Sequence, residues 1–149
     1  MSAQQLLHDL GQQAQMSQPL TFNEHGCARL QINGDLELNI ENDTEAHVLQ
    51  VYSVLGAVPA EEREAFFRML LAGNLFGHQT AGATLALDPE AGEIVLNQRV
   101  DAEHTTSPGF QAMIEHFIVA ATEWRARIVQ FAAPVPGKTP ASTAAVPAG

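Results

Sequence analysis

Asn33-Gly34 stands between two runs of alternating apolar and polar residues, and this arrangement limits the fold more than any other feature of the chain. Both residues tolerate positive φ, and the tight turn they favour matches the twist of two paired strands. Before it, Leu20, Phe22, Ala28, Leu30 and Ile32 alternate with polar residues around a turn at 23–26. After it, Leu36, Leu38 and Ile40 alternate with Glu37, Asn39 and Glu41. A period of two gives each strand one dry face and one wet face, which is the pattern of an antiparallel hairpin lying on a core.

The remaining elements follow from the same periodicities. A polar turn at 42–45 leads into a third run, 47–54, with Leu49, Val51 and Leu55 on one face and Val48, Tyr52 and Val54 on the other. That pattern predicts a central strand covered on both sides. Ala83, Leu85 and Leu87 predict a fourth strand, and Ile94, Leu96 and Val100 a fifth, joined by a turn at 88–92. Leu6, Leu7, Leu10 and Ala14 recur at helical spacing and predict a first helix over 3–16, closed before Pro19. Pro59 opens a second helix, with Glu61, Glu62 and Glu64 placed where negative charge suits the helix dipole. Ser107-Pro108 reads as an N-cap followed by proline at the first helical position. From there Phe110, Met113, Ile114, Phe117, Ile118, Ala121, Trp124 and Ile128 trace one helical stripe. The order is α-β-β-β-α-β-β-α. It defines the α+β class, an antiparallel twisted sheet of about five strands with three helices packed on it.

With 149 residues the chain is expected to form one domain, over 1–132. Residues 133–149 are rich in Pro, Ala and Thr and are expected to be a disordered tail. The 17 acidic against 7 basic side chains give a net charge of −10, which repels nucleic acid and anionic membranes at long range. Cys27 is the single cysteine, so no intramolecular disulfide can form. The glutamine-rich start lacks a basic segment ahead of an apolar run, and no stretch is long enough to span a membrane. These features lead us to expect a cytoplasmic protein.

No catalytic motif is legible. Gly137-Lys138-Thr139 resembles the end of a phosphate-binding loop, but Ala132 stands where that motif needs its first glycine, and Pro134, Pro136 and Pro140 surround it. His8, His25, His47, His78, His104 and His116 fall on six different elements or loops without metal-ligand spacing. Asp101 with Glu103, and Glu61 with Glu64, are explained as a charged turn and a helix start. Ser53 and Ser107 lack a nucleophile-elbow context. No cofactor, no metal and no enzymatic activity are expected.

The second helix carries an apolar excess. Placing residues 100° apart, Phe66, Phe67, Met69, Leu70 and Leu71 cover roughly 200° of its circumference, whereas one buried face needs about 100°. Half of this arc can pack on the sheet. The other half requires either the first or last helix of the same chain, or a second copy meeting it about a twofold axis.

Several local stretches then carry a resemblance: residues 20–30, 69–76, 82–88, 94–100 and 121–125, in the order of elements above. Across 6–128 the chain resembles the class I type III secretion chaperones of the Tir chaperone (CesT-like) family. The resemblance implies a cytosolic bacterial homodimer without enzymatic activity, which binds an N-terminal segment of a cognate secreted effector and delivers it for export. An extended segment of that kind can add a strand at a sheet edge and seat its apolar side chains in surface pockets. By analogy Phe66, Met69, Leu70 and Asn74 are expected at the dimer contact. Leu6, Leu7, Leu10, Phe22, Leu38 and Ile40 are expected in the effector groove, each with plain core as the rival assignment. Two other readings remain open: a small ligand-binding or enzymatic α+β domain with a closed polar pocket, and a regulatory protein of the same fold outside secretion.

Overall fold

A computed structural model describes residues 1–133. Helix α1 (Ala3–Gln13) is followed by β1 (Cys27–Ile32), β2 (Leu36–Asp43) and β3 (Val48–Ala57). Helix α2 (Arg63–Gly73) and a short 3-10 turn (Leu75–Gly77) then lead to β4 (Thr84–Asp88), β5 (Glu93–Val100) and α3 (Ser107–Ala132). The element order is the one the sequence predicts. The strands form one antiparallel sheet in the order β1-β2-β3-β5-β4, so β1 and β4 are its edges. The Pro- and Ala-rich tail and its Gly137-Lys138-Thr139 lie outside the described residues.

Boundaries differ from the sequence expectation where side chains and backbone conformation intervene. Leu20 and Phe22 are not in β1. Leu20 is buried against α1, where a Cβ on Gly11 would stand 2.8 Å from the Leu20 Cβ. β1 begins only at Cys27, after Asn23 Oδ1 has accepted hydrogen bonds from the His25 and Cys27 amides. Helix α1 stops at Gln13. Helix α2 starts at Arg63, because Glu62 adopts a left-handed conformation (φ 59°), so of the three predicted glutamates only Glu64 lies in the first turn. The cap of α3 is Thr106, whose hydroxyl accepts from the Gly109 amide, rather than Ser107. The Ser107 hydroxyl instead donates to the Asp9 carboxylate and ties α3 to α1. That bond, and one from Gln5, hold the Asp9 carboxyl below its ordinary value.

β3 is central as predicted, but only one of its faces is closed. Leu49, Val51, Ser53 and Leu55 are buried, whereas Tyr52 is half-buried and Val54 exposed. Desolvation raises the Tyr52 hydroxyl above its usual pKa, with the negative charge of Glu41 adding to it. The closed face carries the core: Leu38 and Ile40 of β2, Ile94 and Leu96 of β5, and Phe110, Phe117, Trp124 and Ile128 of α3. The molecule is thus two layers, helices on one face of the sheet, with the other face open to solvent. The Ser53 hydroxyl, buried in an apolar layer, donates to the Glu37 carbonyl and so does not stand unpaired.

Gly73, at the end of α2, shows how closely α2 approaches α3. A Cβ there would lie 2.3 Å from two ring carbons of Trp124. Trp124 cannot easily move away: its indole N–H donates to the Gln79 carbonyl and Arg127 stacks on its ring at 3.9 Å. In a helix Gly→Ala ordinarily gains about 0.5–1 kcal/mol; here overpacking costs about 1–3 kcal/mol and reverses the sign. Gly73→Ala is therefore expected to lower stability in chemical denaturation, and adding Trp124→Phe should return part of the loss.

Candidate interaction surfaces

Two surfaces carry the residues that the sequence singles out. The first lies where the extended lead-in 20–22 runs past α1. Ser2, Gln4, Gln5, Leu7, His8, Leu20, Thr21 and Phe22 line an open cleft of about 430 Å³. Its apolar floor comes from Leu7 and Leu20, both buried, and Phe22 is half-buried at its wall. Exposed Ser2, Gln4, Gln5, His8 and Thr21 supply most of its surface, so the cleft offers hydrogen-bonding groups around a small apolar patch. Of the six groove candidates, Leu7 and Phe22 line this cleft. Leu6, Leu10, Leu38 and Ile40 are closed into the core within one chain. The helical and strand periodicities mark both kinds of residue alike, since each is simply on the dry side of its element.

The second surface is the outer side of α2 and the turn after it. Phe66 and Leu70 point inward and are buried; Phe66 stacks edge-on against Phe131 of α3, with ring centroids 5.2 Å apart. Cover within the chain therefore accounts for that half of the arc. Phe67 and Met69 are half-buried. Leu71 is 71% exposed, and Leu75, four residues on, is 62% exposed. Next to it Phe76 is 83% exposed in a left-handed conformation (φ 57°), which is unusual for a bulky residue. Leaving three large apolar side chains in water forgoes about 1.5–3 kcal/mol each, so this face is suited to burial by a partner. The helical wheel exposes the excess but not its direction, and Leu75 and Phe76 lie beyond the helix it describes.

Asn74 has a different task from its neighbours. Its side-chain Nδ2 donates to the Leu85 carbonyl at 3.0 Å, and its Oδ1 accepts from the Leu85 amide at 2.8 Å. The carboxamide is committed to β4 and joins the end of α2 to the sheet.

No three His, Cys, Asp or Glu side chains stand close enough to hold a metal ion among the described residues. Asp101 pairs with His104 at 2.8 Å on an exposed turn, a contact that lowers the Asp101 carboxyl and orders the turn ahead of α3. No described helix is long and apolar enough to cross a membrane.

The domain is thus two layers of α+β structure, with one open sheet face, an open cleft beside α1 and exposed apolar side chains at the end of α2. Residues 5–125 match the Tir chaperone protein (CesT) family. The chain belongs to that family, the class I type III secretion chaperones. A Chlamydia pneumoniae protein known by its locus designation is 25% identical over 105 residues, spanning 70% of this chain and 79% of its own. Among solved structures, the HopA1–SchA chaperone–effector complex is similar at 25% identity, with a TM-score of 0.63 over 83% of this chain and 89% of that one. The ExsC–ExsE complex shares the fold at 20% identity, with a TM-score of 0.69 over 85% and 96%. So does the heterodimeric ExoU–SpcU complex of the Pseudomonas aeruginosa type III secretion system, at 22% identity, a TM-score of 0.64, and 87% and 96% coverage.

Proposed function

We propose that this protein is a non-enzymatic cytoplasmic chaperone that binds the N-terminal segment of a secreted effector, keeps it soluble and export-competent, and works as a homodimer. The observation that carries the reading is the cleft of Leu7, Leu20 and Phe22 beside α1, in a chain of the secretion-chaperone family whose similar structures include chaperone–effector complexes. An extended chain is the form of ligand that suits it. Apolar side chains of such a chain enter the cleft, and its backbone amides and carbonyls satisfy themselves on a free sheet edge. Leu6, Leu10, Leu38 and Ile40 contribute to the site only indirectly, by holding α1 and β2 in the core. The net charge of −10 keeps a molecule with exposed apolar surface soluble. Leu71, Leu75 and Phe76 form the contact with the second copy, with Met69 at its margin and Phe66, Leu70 and Asn74 supporting it from within.

Phe22→Glu tests the cleft. A charge at its wall is expected to weaken binding of the effector segment at least tenfold, about 1.4 kcal/mol. The thermal midpoint should scarcely move, because Phe22 is only partly buried. Undiminished binding would remove this cleft from the effector site.

A further inference from the structure

The two sheet edges are unequal, and the difference lies in their backbones. In an antiparallel ladder the N–H and C=O of one residue point the same way and alternate, residue by residue, between the two sides of the strand. On β4, the Asn74 carboxamide bonds both the N–H and the C=O of Leu85, so Leu85 faces away from β5. Two residues earlier, Ala83 also faces outward. Its amide donates to the Thr80 carbonyl at 3.0 Å, and its carbonyl accepts from the Thr80 hydroxyl at 2.6 Å. Thr80 is itself fully buried. Only Leu87, next to the turn, presents an outward backbone pair on β4 that is unbonded among the described residues. On β1, Cys27 is closed in the same manner by Asn23, whose Oδ1 accepts from the Cys27 amide and whose amide donates to the Cys27 carbonyl. Arg29 and Gln31 follow at the same alternation and leave two consecutive outward pairs open among the described residues.

We propose that Asn74, with Thr80, is a specificity-determining residue: its carboxamide takes the place of a neighbouring strand along β4, closes that edge to strand addition, and directs an added polypeptide to β1. This rests on the reading that the partner is an extended polypeptide. An isolated unbonded edge is a template for pairing with any strand, including the edge of another copy. The side-chain amide supplies the same donor and acceptor as a peptide group, at hydrogen-bonding distance, without offering a further edge of its own. One consequence concerns the homodimer. A second copy meeting the α2–β4 side does so through the side chains of Leu71, Leu75 and Phe76, and the two sheets do not merge into one.

Amide exchange on the full chain tests this without any partner. In the wild type the Leu85 amide is expected to exchange at least 100-fold more slowly than the Leu87 amide, although both face away from β5. In Asn74→Ala the Leu85 amide should fall to the Leu87 level while Ala86, bonded toward β5, stays protected. Sedimentation of Asn74→Ala should show association beyond the wild-type size, reversed when Leu87→Pro removes the remaining outward amide. The wild-type comparison needs no folded variant. Leu85 exchanging as fast as Leu87, or both equally protected because another chain covers the edge, overturns the proposal. So does an Asn74→Ala chain that folds, keeps the wild-type size and retains Leu85 protection. Retention of an effector segment is measured separately by binding; its loss would overturn the chaperone reading and leave the closed edge standing.

Discussion

Leu70→Asp is expected to unfold the chain rather than merely separate two subunits. The sequence places Leu70 on an apolar arc, and the family resemblance puts it at the dimer contact. In the structure Leu70 is 6% exposed and belongs to the core beneath α2. An aspartate there loses the transfer energy of a leucine and puts a carboxylate among the apolar side chains of the core. Loss of a buried leucine side chain alone costs about 2–5 kcal/mol, and an unpaired buried charge adds about 3–5 kcal/mol. Against a typical total stability of about 5–15 kcal/mol, that removes most or all of the folded population. Circular dichroism should show a lost cooperative transition, or a midpoint about 10 °C or more lower. A folded monomer with an unchanged midpoint would place Leu70 at the subunit contact instead.

Leu71→Glu combined with Phe76→Glu is expected to do what Leu70→Asp cannot: dissociate the assembly and leave each subunit folded. Both side chains are largely exposed within one chain, so their replacement by glutamate should change subunit stability by about 0.5 kcal/mol or less each. Central apolar anchors of an interface contribute about 2 kcal/mol or more each, and a twofold axis removes each of the pair from both subunits, so the dimer dissociation constant should rise by at least about a thousandfold. Sedimentation velocity at micromolar concentration would then show a single monomer boundary with native circular dichroism. An unchanged dimer would remove this face from the contact. The contrast between adjacent positions 70 and 71 follows from helix geometry, since neighbours on a helix point about 100° apart.

Much of the fold is legible because its strands obey a simple rule. Leu36, Leu38 and Ile40 of β2 and Ile94, Leu96 and Val100 of β5 mark the buried side of their strands, Asn33 and Gly34 both take positive φ at the turn between β1 and β2, and Ser107-Pro108 lies at the start of α3. The errors have local physical causes. Leu20 and Phe22 continue the alternation of β1 in sequence, but the Asn23 side chain folds the loop between them, and Leu20 packs on α1 instead. Val48, Tyr52 and Val54 read as a second buried face of β3, yet the helices occupy one side of the sheet only. The candidate surfaces were less legible for one reason. Periodicity tells which side of an element is dry but not what dries it. Leu6 and Leu7 adjoin in α1 and both are buried, yet only Leu7 lines the cleft. Phe66 and Leu71 share one apolar arc, yet one is core and the other surface. Asn74, expected at the dimer contact, bonds β4 of its own chain, a role that depends on a strand eleven residues later in sequence.

The central claim is that the chain holds an unfolded segment of another protein. Its most direct measurement is co-expression with the first hundred or so residues of a secreted protein encoded beside it, followed by purification through a tag on the chaperone alone. A stable soluble complex is expected, in which the partner remains without a cooperative unfolding transition of its own and exchange protection is gained at Arg29, Gln31 and the α1 cleft. A chaperone that comes through the purification free, while the secreted segment stays insoluble or folds and leaves unaided, would contradict it.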